Sequence, residues 1–171
     1  LSLTDLQVER IKAVDHQIEL HRYGRKDAAR IPVELWREVE ILLTSGIPLP
    51  PADQTPALKW VQFSFAGVDK AFQQEVFLRG GIQLTSASGT MVSQMGEYVI
   101  MALLMLGHKA PEMFRFQQQK IWHEHRIEKL EPIELRGSTV GIVGYGSIGR
   151  EVARLLYPYG AKVLATKRDV M

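Results

Sequence analysis

The sequence of 171 residues predicts an α/β protein built on parallel sheets. Short apolar runs of strand character alternate along the chain with segments of helical periodicity, which is typical of parallel strands joined by helices. In residues 140–156, VGIVGYGSIGREVARLL, a strand, a glycine-rich turn and a helix follow one another. Hydrophobic residues make up 46% of the chain, which is enough for a packed core.

The first ninety residues alternate between helix and strand signals. Residues 4–14 predict a helix with Thr4 as its N-cap, and residues 17–23 alternate between apolar and polar side chains like a strand. The segments that follow are a helix over 32–40, a buried strand over 40–46, a proline-rich loop over 48–56, a strand over 58–67, a helix over 69–80 and a strand over 81–88.

The rest of the chain begins with one long helical stretch over 90–122, which Pro111 should break or kink. Its most apolar part, residues 99–106, is too short to cross a bilayer and indicates a buried helix. The later segments are a charged connector over 124–137, a strand ending at Val143, a helix over 147–157 and a strand over 161–169. The residues expected on the buried side of that last helix are Ile148, Val152, Leu155 and Leu156.

The composition excludes several classes of function. With 21 basic and 19 acidic residues the net charge is +2, so neither a nucleic-acid partner nor a membrane partner is predicted. The absence of cysteine excludes disulfides, thiolate metal sites and cysteine nucleophiles, and it is compatible with a cytoplasmic location. His123, Glu124 and His125 have side chains that bind metals, but their setting favours a solvated charged connector, so no metal site is predicted.

The three glycines of the turn fit a loop that holds a pyrophosphate. Gly144 permits a tight turn after the strand, Gly146 lets the main chain approach a phosphate, and Gly149 lets the helix pack against the strand. The first amides of the helix then point at the anion, assisted by the helix dipole. A plain strand–turn–helix and another Rossmann protein such as a methyltransferase are the alternatives. The predicted cofactor-binding residues of the loop are Gly144, Tyr145, Gly146, Ser147, Ile148 and Gly149.

The end of the next strand bears on the choice of cofactor. An NAD-binding domain usually places a carboxylate there to accept hydrogen bonds from the ribose 2′-OH, but this strand ends in Thr166, Lys167 and Arg168. Asp169 comes two residues after Lys167, beyond the expected reach of the ribose. The three residues are therefore predicted to bind the 2′-phosphate of NADP, which is favoured over NAD. The alternative is a solvated strand end.

Four stretches resemble the D-isomer-specific 2-hydroxyacid dehydrogenases, the family that includes glyoxylate/hydroxypyruvate reductases and phosphoglycerate dehydrogenase. They are LKWVQFSFAGVD (58–69), ASGTMVSQMGEYVIMALLML (87–106), QQQKIW (117–122) and ELRGSTVGIVGYGSIGREVARLLYPYGAKVLATKR (134–168). The resemblance implies a flavodoxin-like substrate-binding lobe that lacks its first strand over 1–90, interdomain helices and a connector over 91–136, and the start of a Rossmann domain over 137–171. It also implies a homodimer.

The activity that the resemblance implies is hydride transfer between a nicotinamide cofactor and a small 2-keto or 2-hydroxy acid. In the family, backbone amides of the turn in SFAGVD hold the substrate carboxylate, which carries over to Ala66 and Gly67. The family's catalytic Arg, Glu and His have no counterpart in these 171 residues. The sequence is therefore interpreted as truncated and inactive by itself, with activity expected of the full-length protein. The alternative is an inactive truncated paralogue that acts as a binding or dimerisation module.

Overall fold

The computed structural model describes residues 3–24, 26–46, 49–122 and 124–168. The chain separates into two compact units, residues 1–88 and residues 89–171. In each unit, the described strands pair in parallel and are accompanied by helices, so the predicted α/β class with parallel sheets is confirmed. The division of the sequence into three segments stays a prediction.

The first unit is built around a three-stranded parallel sheet. Its elements, in chain order, are α1 (Asp5–Lys12), a 3₁₀ turn (Ala28–Arg30), α2 (Val33–Glu38), β1 (Ile41–Thr44), a second 3₁₀ turn (Ala52–Gln54), β2 (Trp60–Phe63), α3 (Glu75–Leu78) and β3 (Gln83–Thr85). The strands lie in the order β1-β2-β3, with Ile41 opposite Trp60 and Trp60 opposite Gln83. The central strand is therefore β2.

The core of the first unit lies on one face of this sheet. Val61 and Phe63 of β2 are fully buried there together with Val76 of α3, because alternate side chains of a strand point to the same face. Trp60, whose side chain belongs to the opposite face of β2, is only half-buried, and its indole Nε1 donates to the Thr85 hydroxyl at 2.7 Å. The period-two pattern of β2 thus separates an apolar face from a mixed, partly solvated face.

The prediction of a strand over residues 17–23 is wrong. This segment has no regular secondary structure and pairs with no strand within the part of the chain that the structure describes. The Arg22 guanidinium fixes the segment instead, donating to the Leu3 carbonyl and pairing with the Asp5 carboxylate, each at 2.8 Å. Alternating apolar and polar residues indicate which side chains pack against the protein. They do not show that a second strand lies alongside to form hydrogen bonds with the segment.

Two further elements of the first unit differ from the prediction. The helix expected over 69–80 is confined to α3, and hydrogen-bonded turns precede it. Gln74 ties these turns to the proline-rich loop, because its Oε1 accepts from the Leu49 N–H at 3.3 Å. The strand β1, predicted to be buried, lies at the edge of the sheet, and Ile41 therefore remains 57% exposed.

The second unit is built around a βαβ motif. Its elements, in chain order, are α4 (Val92–Gly107), α5 (Ala110–Gln118), α6 (Arg126–Lys129), β4 (Thr139–Val143), α7 (Ser147–Leu156), a 3₁₀ turn (Tyr157–Tyr159) and β5 (Lys162–Thr166). The strands β4 and β5 pair in parallel, and Val143 lies opposite Thr166 at their carboxyl ends. This arrangement is the first βαβ unit of a Rossmann fold, as the sequence predicts.

Helix α4 packs on α7 at a glycine. Gly96 of α4 is buried, and a Cβ built on it would lie 2.8 Å from Glu151 Cγ and 3.0 Å from Leu155 Cδ1. Only a residue without a side chain allows the two helices to approach this closely without moving those neighbours. The fully or nearly buried core beside this contact consists of Ile100, Val152 and Leu156.

The predicted helix break near Pro111 is confirmed. The chain leaves α4 through Lys109, whose φ of 55° lies in the left-handed region, and Pro111 then stands in the first turn of α5. A proline is tolerated there because its missing N–H would have no intrahelical acceptor. The connector expected over 124–137 contains the additional short helix α6.

The buried helix predicted over residues 99–106 has only one buried face. Tyr98, Met101 and Leu106 of α4 are 61%, 47% and 65% exposed, whereas Ile100 is buried. The apolar run therefore supplies both the core of the second unit and an exposed apolar surface. No helix in the described residues has both the length and the apolar character that a bilayer span requires.

Candidate cofactor-binding site

The loop between β4 and α7 is held by one carbonyl oxygen. The amides of Gly144 and Tyr145 both donate to the Thr166 carbonyl of β5, at 3.0 and 3.1 Å. Gly144 has a φ of 95°, a conformation that glycine adopts with little strain. The turn is therefore fixed against the end of β5, and these two amides are already used within the protein.

The close approach of α7 to this turn depends on Gly149. A Cβ built on Gly149 would lie 2.4 Å from the Gly144 carbonyl oxygen and 3.2 Å from Ile142 Cγ2. The first distance is far below a van der Waals contact and involves backbone, so a side chain here would force the helix away from the strand. This steric conflict is the physical reason for the packing role predicted for Gly149.

In contrast, Gly146 faces open space. It is the N-cap residue of α7, has no side-chain cap, and a Cβ built on it would meet no atom within 4 Å. Within the described ranges, no protein acceptor receives the amides of Gly146, Ser147 or Ile148. Unpaired amides at a helix N-terminus attract anions. The space and the donors together fit a phosphate group approaching the main chain.

The charges around this loop are positive. Lys167 and Arg168 directly follow β5, and Arg150 lies in the first turn of α7; all three are exposed. None of them forms an ion pair with a carboxylate among the residues the structure covers. The neighbouring Glu151 carboxylate is engaged by the Arg154 guanidinium through contacts of 2.7 and 2.8 Å. These hydrogen bonds hold the pKa of Glu151 below its ordinary value.

The remaining predicted loop residues differ in exposure. Tyr145 is half-buried, and Ser147 is exposed. Ile148, which was expected on the buried side of α7, is 41% exposed and so is available to a ligand, whereas Val152 and Leu156 are buried as predicted. The exposed side chain of Ile148 thus lies in the first turn of α7, and the buried side chains of Val152 and Leu156 lie further along the helix.

A second group of free amides lies in the first unit. Ala66 and Gly67 follow the carboxyl end of β2, both are exposed, and neither amide donates to an acceptor in the described part of the chain. The turn before them is fixed because the Ala87 N–H donates to the Phe65 carbonyl at 3.1 Å. Adjacent free amides in a turn suit an anion such as a carboxylate.

Sequence reasoning missed the feature that fixes the loop. Thr166 is predicted from its hydroxyl, yet the contacts that hold the turn come from its main-chain carbonyl, which no residue pattern reports. His123 and Asp169, both weighed from the sequence, lie outside the described residues. Among the residues that are described, no group of three His, Asp or Glu side chains is placed to hold a metal ion.

Comparison with known proteins connects this loop to a family. Residues 100–171 match the model of the D-isomer specific 2-hydroxyacid dehydrogenase NAD-binding domain. Glyoxylate/hydroxypyruvate reductase A of Yersinia enterocolitica is 35% identical over 116 residues, which are 65% of this chain and 36% of that protein. The chain spans less than half the length of the curated relatives it matches.

Solved structures show the same fold. D-lactate dehydrogenase of Aquifex aeolicus, solved with NAD and lactic acid, matches 99% of this chain and 50% of its own chain with a TM-score of 0.72 at 19% identity. A D-isomer specific 2-hydroxyacid dehydrogenase of Xanthobacter autotrophicus, solved with NADPH and MES, matches 79% of this chain and 41% of its own chain with a TM-score of 0.63 at 26% identity.

Proposed function

The chain belongs to the D-isomer specific 2-hydroxyacid dehydrogenase family through residues 100–171, and on that premise we propose that the full-length protein is an NAD(P)-dependent oxidoreductase. It moves a hydride between the cofactor's nicotinamide and a small 2-keto or 2-hydroxy acid. The observation that carries the proposal is the loop at Gly146, where open space and unpaired amides meet at the start of a helix. The bound cofactor supplies the hydride, and this chain supplies part of the cofactor's binding site.

NADPH is the proposed cofactor, with NADH as the weaker alternative. Lys167 and Arg168 are exposed, without a described carboxylate partner, and adjacent to the Thr166 carbonyl that holds the loop. A guanidinium binds a phosphate through paired, charge-assisted hydrogen bonds, whereas it has no comparable partner in a ribose hydroxyl. The positive charge at this strand end therefore favours the cofactor that carries a 2′-phosphate.

The amides of Ala66 and Gly67 are proposed to bind the substrate carboxylate. Both are exposed and unpaired among the described residues, as such a role requires. We place no catalytic residue within the 171 residues, which comprise a substrate-binding lobe over 1–90, interdomain helices over 91–136 and the start of the cofactor domain over 137–171. The chain by itself is accordingly expected to be inactive.

The test is NADPH oxidation by the full-length protein, followed at 340 nm. We expect turnover with glyoxylate or hydroxypyruvate, and a lower KM for NADPH than for NADH. The isolated 171-residue chain, measured in parallel, should show no turnover. A full-length protein that oxidises neither cofactor with any small 2-keto acid contradicts the proposal.

We also propose that the protein forms a homodimer and that it is cytoplasmic. The cytoplasmic location is compatible with a chain that has no cysteine and so does not depend on an oxidising compartment. The exposed apolar surface of α4, which includes Tyr98 and Met101, is the observation that favours association of two chains.

The same surface favours a second function, that of an inactive paralogue that acts only as a binding or dimerisation module. An open reading frame past Met171 that encodes an Arg, a Glu and a His in the family's order contradicts this second function, whereas a stop codon favours it.

A further inference from the structure

The free amides of the loop are too few to neutralise a pyrophosphate by themselves. Gly144 and Tyr145 donate to Thr166, so only the amides from Gly146 onward remain for a ligand. A dinucleotide pyrophosphate carries two negative charges, and neutral amides do not cancel them. A cation close to the loop would therefore add binding energy that the main chain does not supply.

The side chain of Arg150 lies over this loop. Its own amide donates to the Gly146 carbonyl at 3.0 Å, which places the residue in the first turn of α7. Its guanidinium Nη1 reaches back to the Tyr145 carbonyl at 3.5 Å, on the turn itself. We propose that Arg150 binds the cofactor's pyrophosphate, an assignment that rests on the proposed function.

The contact that Arg150 makes in the structure is easily exchanged. A distance of 3.5 Å to a neutral carbonyl is at the outer limit of a hydrogen bond, and the residue is exposed. Glu151, the next residue in the chain, is itself bound to Arg154 at 2.7 Å. A phosphate offers Arg150 a charged acceptor for two parallel hydrogen bonds, which is a stronger interaction than the one it gives up.

This role differs from that of the strand end. Arg150 is tied to the turn at Tyr145, whereas Lys167 and Arg168 follow β5 beyond Thr166. The two groups of cations should therefore recognise different phosphates of one cofactor, the pyrophosphate and the 2′-phosphate. A set of nucleotides that carry one, the other or both of these phosphates separates the two roles.

The test is Arg150→Gln in the full-length protein, with calorimetric titration of NADPH, NADH and 2′-AMP. Losing a charge-assisted hydrogen bond should raise the Kd of NADPH and of NADH by about tenfold. The Kd of 2′-AMP, which has no pyrophosphate, should stay within about twofold. The matched control is Arg115→Gln, which removes the same charge from an exposed arginine of α5 and should leave all three values unchanged. Arg150→Lys should give values between those of wild type and Arg150→Gln.

Two results overturn the assignment. One is an NADPH Kd for Arg150→Gln that equals the wild-type value, in a variant whose circular dichroism is unchanged. The other is an equal loss for 2′-AMP, which would move Arg150 to the 2′-phosphate. A wild-type protein that binds none of the three nucleotides would instead overturn the proposed function, and the assignment with it.

Discussion

Two glycines of the same loop have opposite surroundings, and that contrast separates folding from binding at the level of single residues. Gly149 is surrounded by protein, with the Gly144 carbonyl 2.4 Å from the position of a Cβ. Gly146 has no neighbour within 4 Å of that position. A side chain at the first site would displace protein atoms, whereas a side chain at the second would occupy the space proposed for the ligand.

Gly149→Ala should therefore destabilise the second unit, by about 1–3 kcal/mol as for an overpacked core site. Gly146→Ala should leave the thermal midpoint unchanged and weaken dinucleotide binding. Gly141→Ala is the control, because a Cβ on that residue of β4 would also meet no atom within 4 Å, outside the loop. Thermal unfolding and NADPH titration of the three variants test these expectations. An unchanged thermal midpoint for Gly149→Ala would contradict the packing role of Gly149.

Arg168→Asp should shift the preference from NADPH towards NADH. The change removes a guanidinium proposed for the 2′-phosphate and introduces a carboxylate that can accept from a ribose hydroxyl. We expect the Kd of NADPH to rise by about tenfold or more, and that of NADH to stay constant or fall. Lys162→Asp, at the amino end of the same strand, is the control for charge alone. Equal losses for both cofactors would exclude a role of Arg168 in choosing between them.

The spacing of the three glycines predicts the turn at Gly144, the space for a phosphate at Gly146 and the helix packing at Gly149. Each of these features depends on the absence of a side chain, so the sequence can indicate it. The Thr166 contact was not predictable, since it uses a carbonyl that every residue possesses. The sequence alone does not single out Arg150, because an arginine in a helix is usually solvated. Only the 3.5 Å approach to Tyr145 distinguishes it.

At the scale of elements, the N-terminal cap of α1 was predicted correctly, whereas the strand over 17–23 and the extent of the helix over 69–80 were not. Thr4 caps α1 as predicted, with its hydroxyl accepting from the Gln7 N–H and the Gln7 side chain accepting from the Thr4 N–H. Capping is a local interaction within four residues. Pairing of 17–23 would have required a distant neighbour, and a local alternation of side chains carries no information about one.

The ion pair between Glu151 and Arg154 makes the stability of α7 dependent on pH. The pKa of Glu151 is lowered in the folded chain by the hydrogen bonds from Arg154, so the pair contributes stability above the ordinary carboxyl pKa of 4.5. That contribution is lost as the pH falls through the lower pKa of the folded state. The effect should be small, because the Arg154 side chain is 67% exposed.

Glu151→Gln should therefore lower the thermal midpoint slightly at pH 7, and the difference from wild type should disappear at low pH. Glu134→Gln is the control, because Glu134 is exposed and forms no ion pair among the described residues. Differential scanning fluorimetry from pH 7 to pH 3 measures both variants. A difference that grows on acidification contradicts the assigned direction of the pKa shift.

For the molecule as a whole, each unit has a sheet that is only partly covered. In the first unit Ile41 and Leu43 are 57% and 39% exposed, and in the second Val143 and Leu164 are 94% and 54% exposed. Parallel sheets are normally covered on both faces, so these side chains mark surfaces where further protein packs in typical α/β folds. The fold class was predictable because it follows from the alternation of elements, but exposure depends on everything that surrounds them.

The 171-residue chain expressed by itself should consequently bind the apolar dye ANS. The exposed sheet residues and the outer surface of α4 supply the apolar area that the dye needs. The full-length protein at the same molar concentration is the comparison, and its dye fluorescence should be several-fold weaker. Equal fluorescence from the two proteins would mean that these surfaces stay open in the full-length protein.

The Thr166 carbonyl also sets a rule for redesigning the cofactor preference. It fixes the phosphate turn with main-chain atoms, while the residues proposed to select the cofactor, Lys167 and Arg168, follow it immediately. Exchanging those two side chains leaves the carbonyl in place. Inserting, deleting or grafting a strand end of different length would move it and release Gly144 and Tyr145 together. An engineer can therefore exchange the side chains freely but must keep the backbone length at this junction.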